Sequence, residues 1–140
     1  MKIGIMGGTF NPIHNAHLLI AEMAREEYGL DRVIFITDGN PPHKSANVTA
    51  KQRFEMTHIA IADNSAFEED DFEINRSEKS YTVNTLGYLK EKYPNNDLFF
   101  IIGEDSLNDF NKWYKPDKIL EMCSLLVFPR KSLKSLTETI

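Results

Sequence analysis

The chain has 140 residues, 41% of them hydrophobic and 26% charged, the length and balance of one globular domain around one core. A net charge of −5 provides no broad cationic surface to displace counterions from a polyanion, which argues against nucleic-acid binding, and no run reaches the roughly 18 consecutive apolar residues of a membrane span. The single cysteine, Cys123, excludes an intramolecular disulfide and a thiolate metal cage, and within the apolar stretch 120–127 it reads as a buried thiol in a reducing, cytoplasmic setting.

A first strand is expected over residues 2–6. It runs through Gly7-Gly8-Thr9-Phe10-Asn11-Pro12-Ile13-His14-Asn15-Ala16-His17 into a helix over 16–28. Leu19, Ile20, Met23 and Ala24 share one side of that helix, Asn15 reads as its N-cap and Gly29 as its C-cap. A second strand over 32–37 leads into Asp38-Gly39-Asn40-Pro41-Pro42-His43-Lys44. Thr49 with Gln52 three residues later forms a capping box for a second helix, with Phe54, Ile59 and Ala62 as its apolar face. The alternation over 71–76 reads as a third strand. Thr82 then caps a helix that ends near Tyr93, before Pro94. A fourth strand over 98–102 opens into Gly103-Glu104-Asp105-Ser106. Pro116 suits the first turn of a helix through Met122, and a fifth strand covers 125–128. Strand alternating with helix predicts an α/β, doubly wound parallel sheet, whose ligands sit beyond the carboxyl ends of the strands.

The loop after the first strand carries the strongest chemistry. Two adjacent glycines present unobstructed N–H groups, and the following helix aims its positive end at the same space, which together make an anion cradle. The same pair also serves a tight strand-to-helix turn. His14 and His17 can direct ring nitrogens at a held phosphate, or they are surface polar residues. A zinc pair would want further ligands, and neither His43 nor His58 stands in a metal-ligand spacing with them. The loop is neither a Walker A motif nor a Gly-x-Gly-x-x-Gly fingerprint. Elsewhere, Thr82 at a helix start suits a small carboxylate or is simply a cap. Asp105 accepts from ribose hydroxyls or caps the next helix, Trp113 stacks on a ring or packs in the core, and Lys44 by itself reads as a solvated surface charge.

The first loop resembles the Gly-Gly-Thr-Phe-Asp-Pro-x-His-x-Gly-His signature of the nucleotidyltransferase α/β superfamily, with Asn11 in place of the usual Asp and Ala16 in place of Gly. Pro41-Pro42-His43-Lys44, Ser80-Tyr81-Thr82 through Thr85-Leu86, Ile101-Ile102-Gly103 with Asp105, Lys112-Trp113 and Arg130 are similar to the nicotinate mononucleotide adenylyltransferases, in order, over residues 2–130. Glu78 stands where that family usually has Gly, and Lys131-Ser132 where it has Pro-Gly. The resemblance implies a Rossmann-like sheet of five strands in the order 3-2-1-4-5, and adenylyl transfer from ATP to nicotinate mononucleotide with release of pyrophosphate. Mg²⁺ would arrive with the triphosphate and not in a protein cage. It further implies that Gly7, Gly8, Thr9, Phe10, His14, His17, Gly103 and Asp105 hold ATP, His17 lying closest to the transferring group and His14 on an ATP phosphate. Lys44, Tyr81, Thr82, Trp113 and Arg130 would hold the acceptor. A pantetheine-phosphate or cytidylyl transferase of the same superfamily, or a nucleotide-binding module without turnover, are the rival readings. The tail Thr137-Glu138-Thr139-Ile140 does not match the family's Ser/Thr-Ser/Thr-x-Ile-Arg motif. Residues 1–140 are therefore expected to be a single core domain without the family's C-terminal segment, with homo-oligomer formation left open.

Overall fold

The computed structural model describes residues 1–8, 10, 12–39, 49–76 and 81–129. Five parallel strands form one sheet in the order β3-β2-β1-β4-β5, as the resemblance implies. They are β1 (Lys2–Gly8), β2 (Arg32–Thr37), β3 (Phe67–Asp70), β4 (Asp97–Gly103) and β5 (Ser124–Phe128). The helices are α1 (Asn15–Tyr28), α2 (Ala50–Ile61), α3 (Thr82–Lys92), α4 (Glu104–Asn108) and α5 (Pro116–Met122), with a 3₁₀ turn at Phe110–Lys112. No helix among the described residues is long and apolar enough to cross a membrane.

The period-two alternation of the inner strands sorts their side chains into two layers. Met6, Val33, Phe35 and Ile101 face α1 and α2, meeting Ile20, Ala21, Ala24 and Ile61. Ile3, Ile5, Ile34, Ile36 and Leu98 face α3 and α5, meeting Val83, Leu86, Leu89 and Ile119. Gly4 sits at a close approach in β1: a Cβ there would lie 2.8 Å from Leu30 Cδ1, so the central strand leaves room for the side chain entering beneath α1.

Several expectations need correction. The third strand is Phe67–Asp70, not 71–76. Asp70 ends it: its buried carboxylate accepts from the Phe72 N–H (2.9 Å), the Tyr88 hydroxyl (2.9 Å) and Lys92 Nζ (3.0 Å). These bonds turn the chain away and fasten it to α3, while Phe72 stacks on Tyr88 at 4.2 Å. Residues 72–75 are consequently a turn beyond the strand, not part of it. The inner face of α1 is Ala16, Ile20, Ala21 and Ala24, and Leu19 and Met23 are exposed, because small residues let the helix lie close to the sheet. In α2 the buried positions are Arg53, Thr57 and Ile61, and Ile59 is 74% exposed. A polar residue faces inward there because Arg53 Nη1 donates to the carbonyl of Asp38 (2.7 Å), satisfying backbone at the end of β2. The Thr49–Gln52 capping box forms as expected, as do the left-handed Gly29 cap (φ 64°) and Pro116 in the first turn of α5. Cys123 is half-buried, its thiol pushed up to about 11 by burial.

Candidate active site

A cavity of about 400 Å³ opens beyond the carboxyl ends of β1 and β4. These two strands are neighbours across the point where the chain reverses direction through the sheet, the place a doubly wound fold reserves for ligands. Its volume lies within the range of small-molecule sites.

Gly7 and Gly8, at the end of β1, line the cavity. A Cβ on Gly8 would come within 3.0 Å of the Phe10 ring, so any larger residue would press on the next pillar of the loop. Phe10 holds a left-handed backbone (φ 48°), a costly conformation for a residue with a side chain, and its ring is 3% exposed. It packs against Phe35 (6.1 Å) and edge-on against His17 (5.2 Å). The Phe10 side chain is thus a core support for His17 and lies outside the cavity lining, which leaves its backbone N–H as the group for the expected phosphate contact.

His14, and not Asn15, caps α1. Its Nδ1 accepts from the Ala16 N–H (3.3 Å), while His17 Nδ1 accepts from the His14 N–H (3.1 Å), a capping box built from two imidazoles. With both Nδ1 atoms accepting, each neutral ring carries its proton on Nε2. Burial, reinforced by the adjacent His14 ring at 3.9 Å, lowers the His17 pKa to about 4. His17 is therefore a neutral hydrogen-bond donor at physiological pH. It lines the cavity, whereas His14 is exposed and lies outside the lining.

Gly103 and Ser106 continue the wall after β4. Asp105 sits on the first turn of α4, exposed and outside the lining; Gly103 is the N-cap, so Asp105 is not the cap either. On the other side stand Thr82 and Trp113. Thr82 is the first residue of α3 and Tyr81 its N-cap, with no side chain capping the helix, which corrects the expected role of Thr82 as the cap. Tyr81 packs on Tyr114 at 4.6 Å and does not line the cavity. Trp113 packs in the core against Phe110 (5.0 Å) and Phe100 (6.0 Å), and it also lines the cavity. Thr9, Lys44 and Arg130 lie outside the described residues, as do Asn11, His43, Glu78 and Ser80.

Two acidic residues that the sequence did not single out also face the cavity, Asp38 at the end of β2 and Glu73 in the turn after β3. The Glu73 carboxylate accepts from the Thr85 hydroxyl at 2.6 Å, and burial above all raises its pKa to about 7. Gly39 makes this arrangement possible: a Cβ there would lie 2.2 Å from the Glu73 carbonyl oxygen. Among the described residues no group of three or more His, Cys, Asp or Glu side chains is placed to hold a metal ion.

Residues 5–139 match the cytidylyltransferase-like family. A curated relative, a probable nicotinate-nucleotide adenylyltransferase of Citrifermentans bemidjiense, is 47% identical over the whole of this chain and 67% of its own length. A second such relative, from Pelobacter propionicus, is 51% identical over 93% of this chain and 61% of its own length. Among solved structures, a Vibrio parahaemolyticus protein assigned as a nicotinate-nucleotide adenylyltransferase superposes with a TM-score of 0.77 at 26% identity, covering 97% of this chain and 78% of that one. The nicotinic acid mononucleotide adenylyltransferase of Plasmodium falciparum, solved with NaAD, shares the fold at a TM-score of 0.79 and 23% identity, covering 96% of this chain and 70% of that one. The chain belongs to the cytidylyltransferase-like family and, within it, to the nicotinate-nucleotide adenylyltransferases.

Proposed function

We propose that this chain carries the site for transferring the adenylyl group of ATP to nicotinate mononucleotide, giving nicotinate adenine dinucleotide and pyrophosphate. The observation that carries this reading is that Gly7, Gly8, His17 and Gly103 on one side, and Thr82 and Trp113 on the other, line a single cavity. An ATP site and an acceptor site must adjoin for one phosphate oxygen to reach another nucleotide's phosphorus.

In the reaction a phosphate oxygen of the mononucleotide forms a bond to the α-phosphorus of ATP as the bond from that phosphorus to the bridging oxygen breaks, the electron pair leaving with pyrophosphate. The nucleophile is already anionic, so no general base is needed. What the protein supplies is alignment of two anions and donors toward the charge that gathers on the transferring group. His17 fits this task because its neutral ring keeps Nδ1 in the α1 cap and leaves Nε2–H to donate into the cavity. The Gly7 and Gly8 backbone offers close approach to phosphate without a side chain in the way. We assign His14 to an outer ATP phosphate, with Thr9, Phe10 N–H and Asp105 as further ATP contacts. Lys44 and Arg130 join Tyr81, Thr82 and Trp113 on the acceptor. The start of α3 suits the ring carboxylate of nicotinate, with Trp113 against the pyridine face. Mg²⁺ would enter as the ATP complex, since this ion keeps waters and phosphate oxygens as its ligands. A cytoplasmic setting suits a chain with a single thiol.

The test is pyrophosphate release with Mg²⁺ and ATP, offering nicotinate mononucleotide, nicotinamide mononucleotide and phosphopantetheine in turn. Release with nicotinate mononucleotide in preference to the other two is expected. Release with phosphopantetheine alone would overturn the acceptor assignment.

A further inference from the structure

Glu73 is a half-buried carboxyl that the adenylyl-transfer chemistry leaves unused. It lines the main cavity together with Thr82 and Trp113, and it also lines the small recess behind them, between Ile5, Ile36, Thr85 and Leu86. Three features fix it there. Asp70 ends β3 and starts the turn, Gly39 lets that turn pack backbone to backbone beneath β2, and Thr85 donates to Oε2 from the first turn of α3. The carboxyl is therefore held beside the same positive helix end that the acceptor's ring carboxylate would use. Two negative carboxyl groups converging on one helix start repel each other in a partly desolvated space.

We propose that Glu73 is a specificity-determining residue for the acceptor: braced by Thr85, it admits a ring carboxylate at the start of α3 in its protonated form and disfavours it in its ionised form. This inference rests on the acceptor reading given above. A ring carboxamide carries no charge and can donate to an ionised Glu73, so the preference for carboxylate over carboxamide depends on the protonation of this one side chain.

The surroundings place that change within an accessible pH range. Burial raises the Glu73 pKa to about 7; Thr85 opposes this by its hydrogen bond, the Asp38 carboxylate just beyond β2 reinforces it, and Arg76 after the same turn opposes it. Arg53 on α2 lies behind Asp38, donating to its carbonyl. His17, on α1 across the cavity, titrates near 4, below the window.

The experiment measures dissociation constants of nicotinate mononucleotide and nicotinamide mononucleotide by calorimetry on the 140-residue chain, at about pH 6 and about pH 8.5. Both acceptors carry the same phosphate, so its own titration cancels in their ratio. The preference for nicotinate mononucleotide should fall by about tenfold between the two pH values, the factor one pKa unit of coupling carries. In Glu73→Gln, which keeps an oxygen for Thr85 and cannot ionise, the preference should be the same at both. Thr85→Val removes the hydrogen bond that holds the Glu73 pKa down, and should move the midpoint of the fall to higher pH. A pH-independent preference in the parent chain, a Gln variant that keeps the parental fall, or an unmoved midpoint in Thr85→Val overturns the role of Glu73 while leaving the acceptor site standing. Equal affinity for the two mononucleotides at both pH values, or binding of neither, overturns the acceptor site and the inference with it.

Discussion

Replacing His17 by Gln and by Ala separates its two duties. The ring accepts the His14 N–H at 3.1 Å through Nδ1, as the third residue of a capping box, and faces the cavity with its other nitrogen. Glutamine is a standard occupant of that capping position, and its side-chain oxygen can take the same N–H. His17→Gln should therefore leave the thermal midpoint near the parent's while removing the ring donor. Losing one preorganised donor to a developing charge costs about 2.7–4 kcal/mol, or roughly 100- to 1,000-fold in turnover. His17→Ala should show the same loss of turnover together with a loss of stability: about 1 kcal/mol for the cap and a further ~0.5–1.5 kcal/mol for the edge-on contact with Phe10. Turnover is read as pyrophosphate release at saturating ATP and nicotinate mononucleotide, and stability by denaturant titration. A Gln variant within a few-fold of parental turnover would remove His17 from the chemical step, and an Ala variant as stable as the parent would refute the imidazole capping box.

The His17 pKa near 4 lies below the ordinary 6.5, so between these values the folded chain binds fewer protons than the unfolded one. Its contribution to stability is fully present above about pH 6.5 and is lost as pH falls toward 4; the difference in unfolding free energy between parent and His17→Gln should show that slope and be flat at higher pH. Gly39→Ala should lower the thermal midpoint and weaken acceptor binding, because its methyl would fall 2.2 Å from the Glu73 carbonyl oxygen and must displace the turn; a variant unchanged in calorimetric midpoint and nicotinate mononucleotide affinity would show that the turn is not fastened there. Asp70→Ala strips Tyr88, Lys92 and the Phe72 N–H of their shared acceptor, and should destabilise by about 1–3 kcal/mol in urea titration, with no change in His17-dependent chemistry.

The parallel sheet and the cavity's position were legible because their signals are local or topological, whereas the strand order followed from the family resemblance. Apolar runs over 32–37 and 98–102 are buried on both faces and read plainly as inner strands, and alternation with helices fixes a parallel sheet. The third strand was misplaced because it lies at the sheet edge. Phe67-Glu68-Glu69-Asp70 shows little apolar character, while Phe72 and Ile74 just beyond it imitate the alternation of a strand. What ends β3 is a carboxylate bonded to residues 18 and 22 positions further on, a contact no window of sequence contains. The buried face of α2 failed for a similar reason: Arg53 turns inward to serve a carbonyl on another element.

The same misplacement hid Glu73. Ligands were expected in the loops after strands, and with β3 placed over 71–76 Glu73 was counted as sheet; with β3 ending at Asp70 it stands in the loop that rule directs attention to. The proposed ATP side was easier to read because its parts are consecutive: two glycines end β1, and His14 and His17 begin α1 within one capping box. The proposed acceptor side draws Gly39, Glu73, Thr82, Thr85 and Trp113 from four separate segments, joined by the Thr85–Glu73 hydrogen bond and the backbone close approach at Gly39. A phosphate cradle can be encoded in a single loop because backbone N–H groups do most of the holding. Discrimination between two pyridine rings that differ at one substituent needs side chains converging from several directions, so it is distributed along the chain and becomes visible only when the chain is folded.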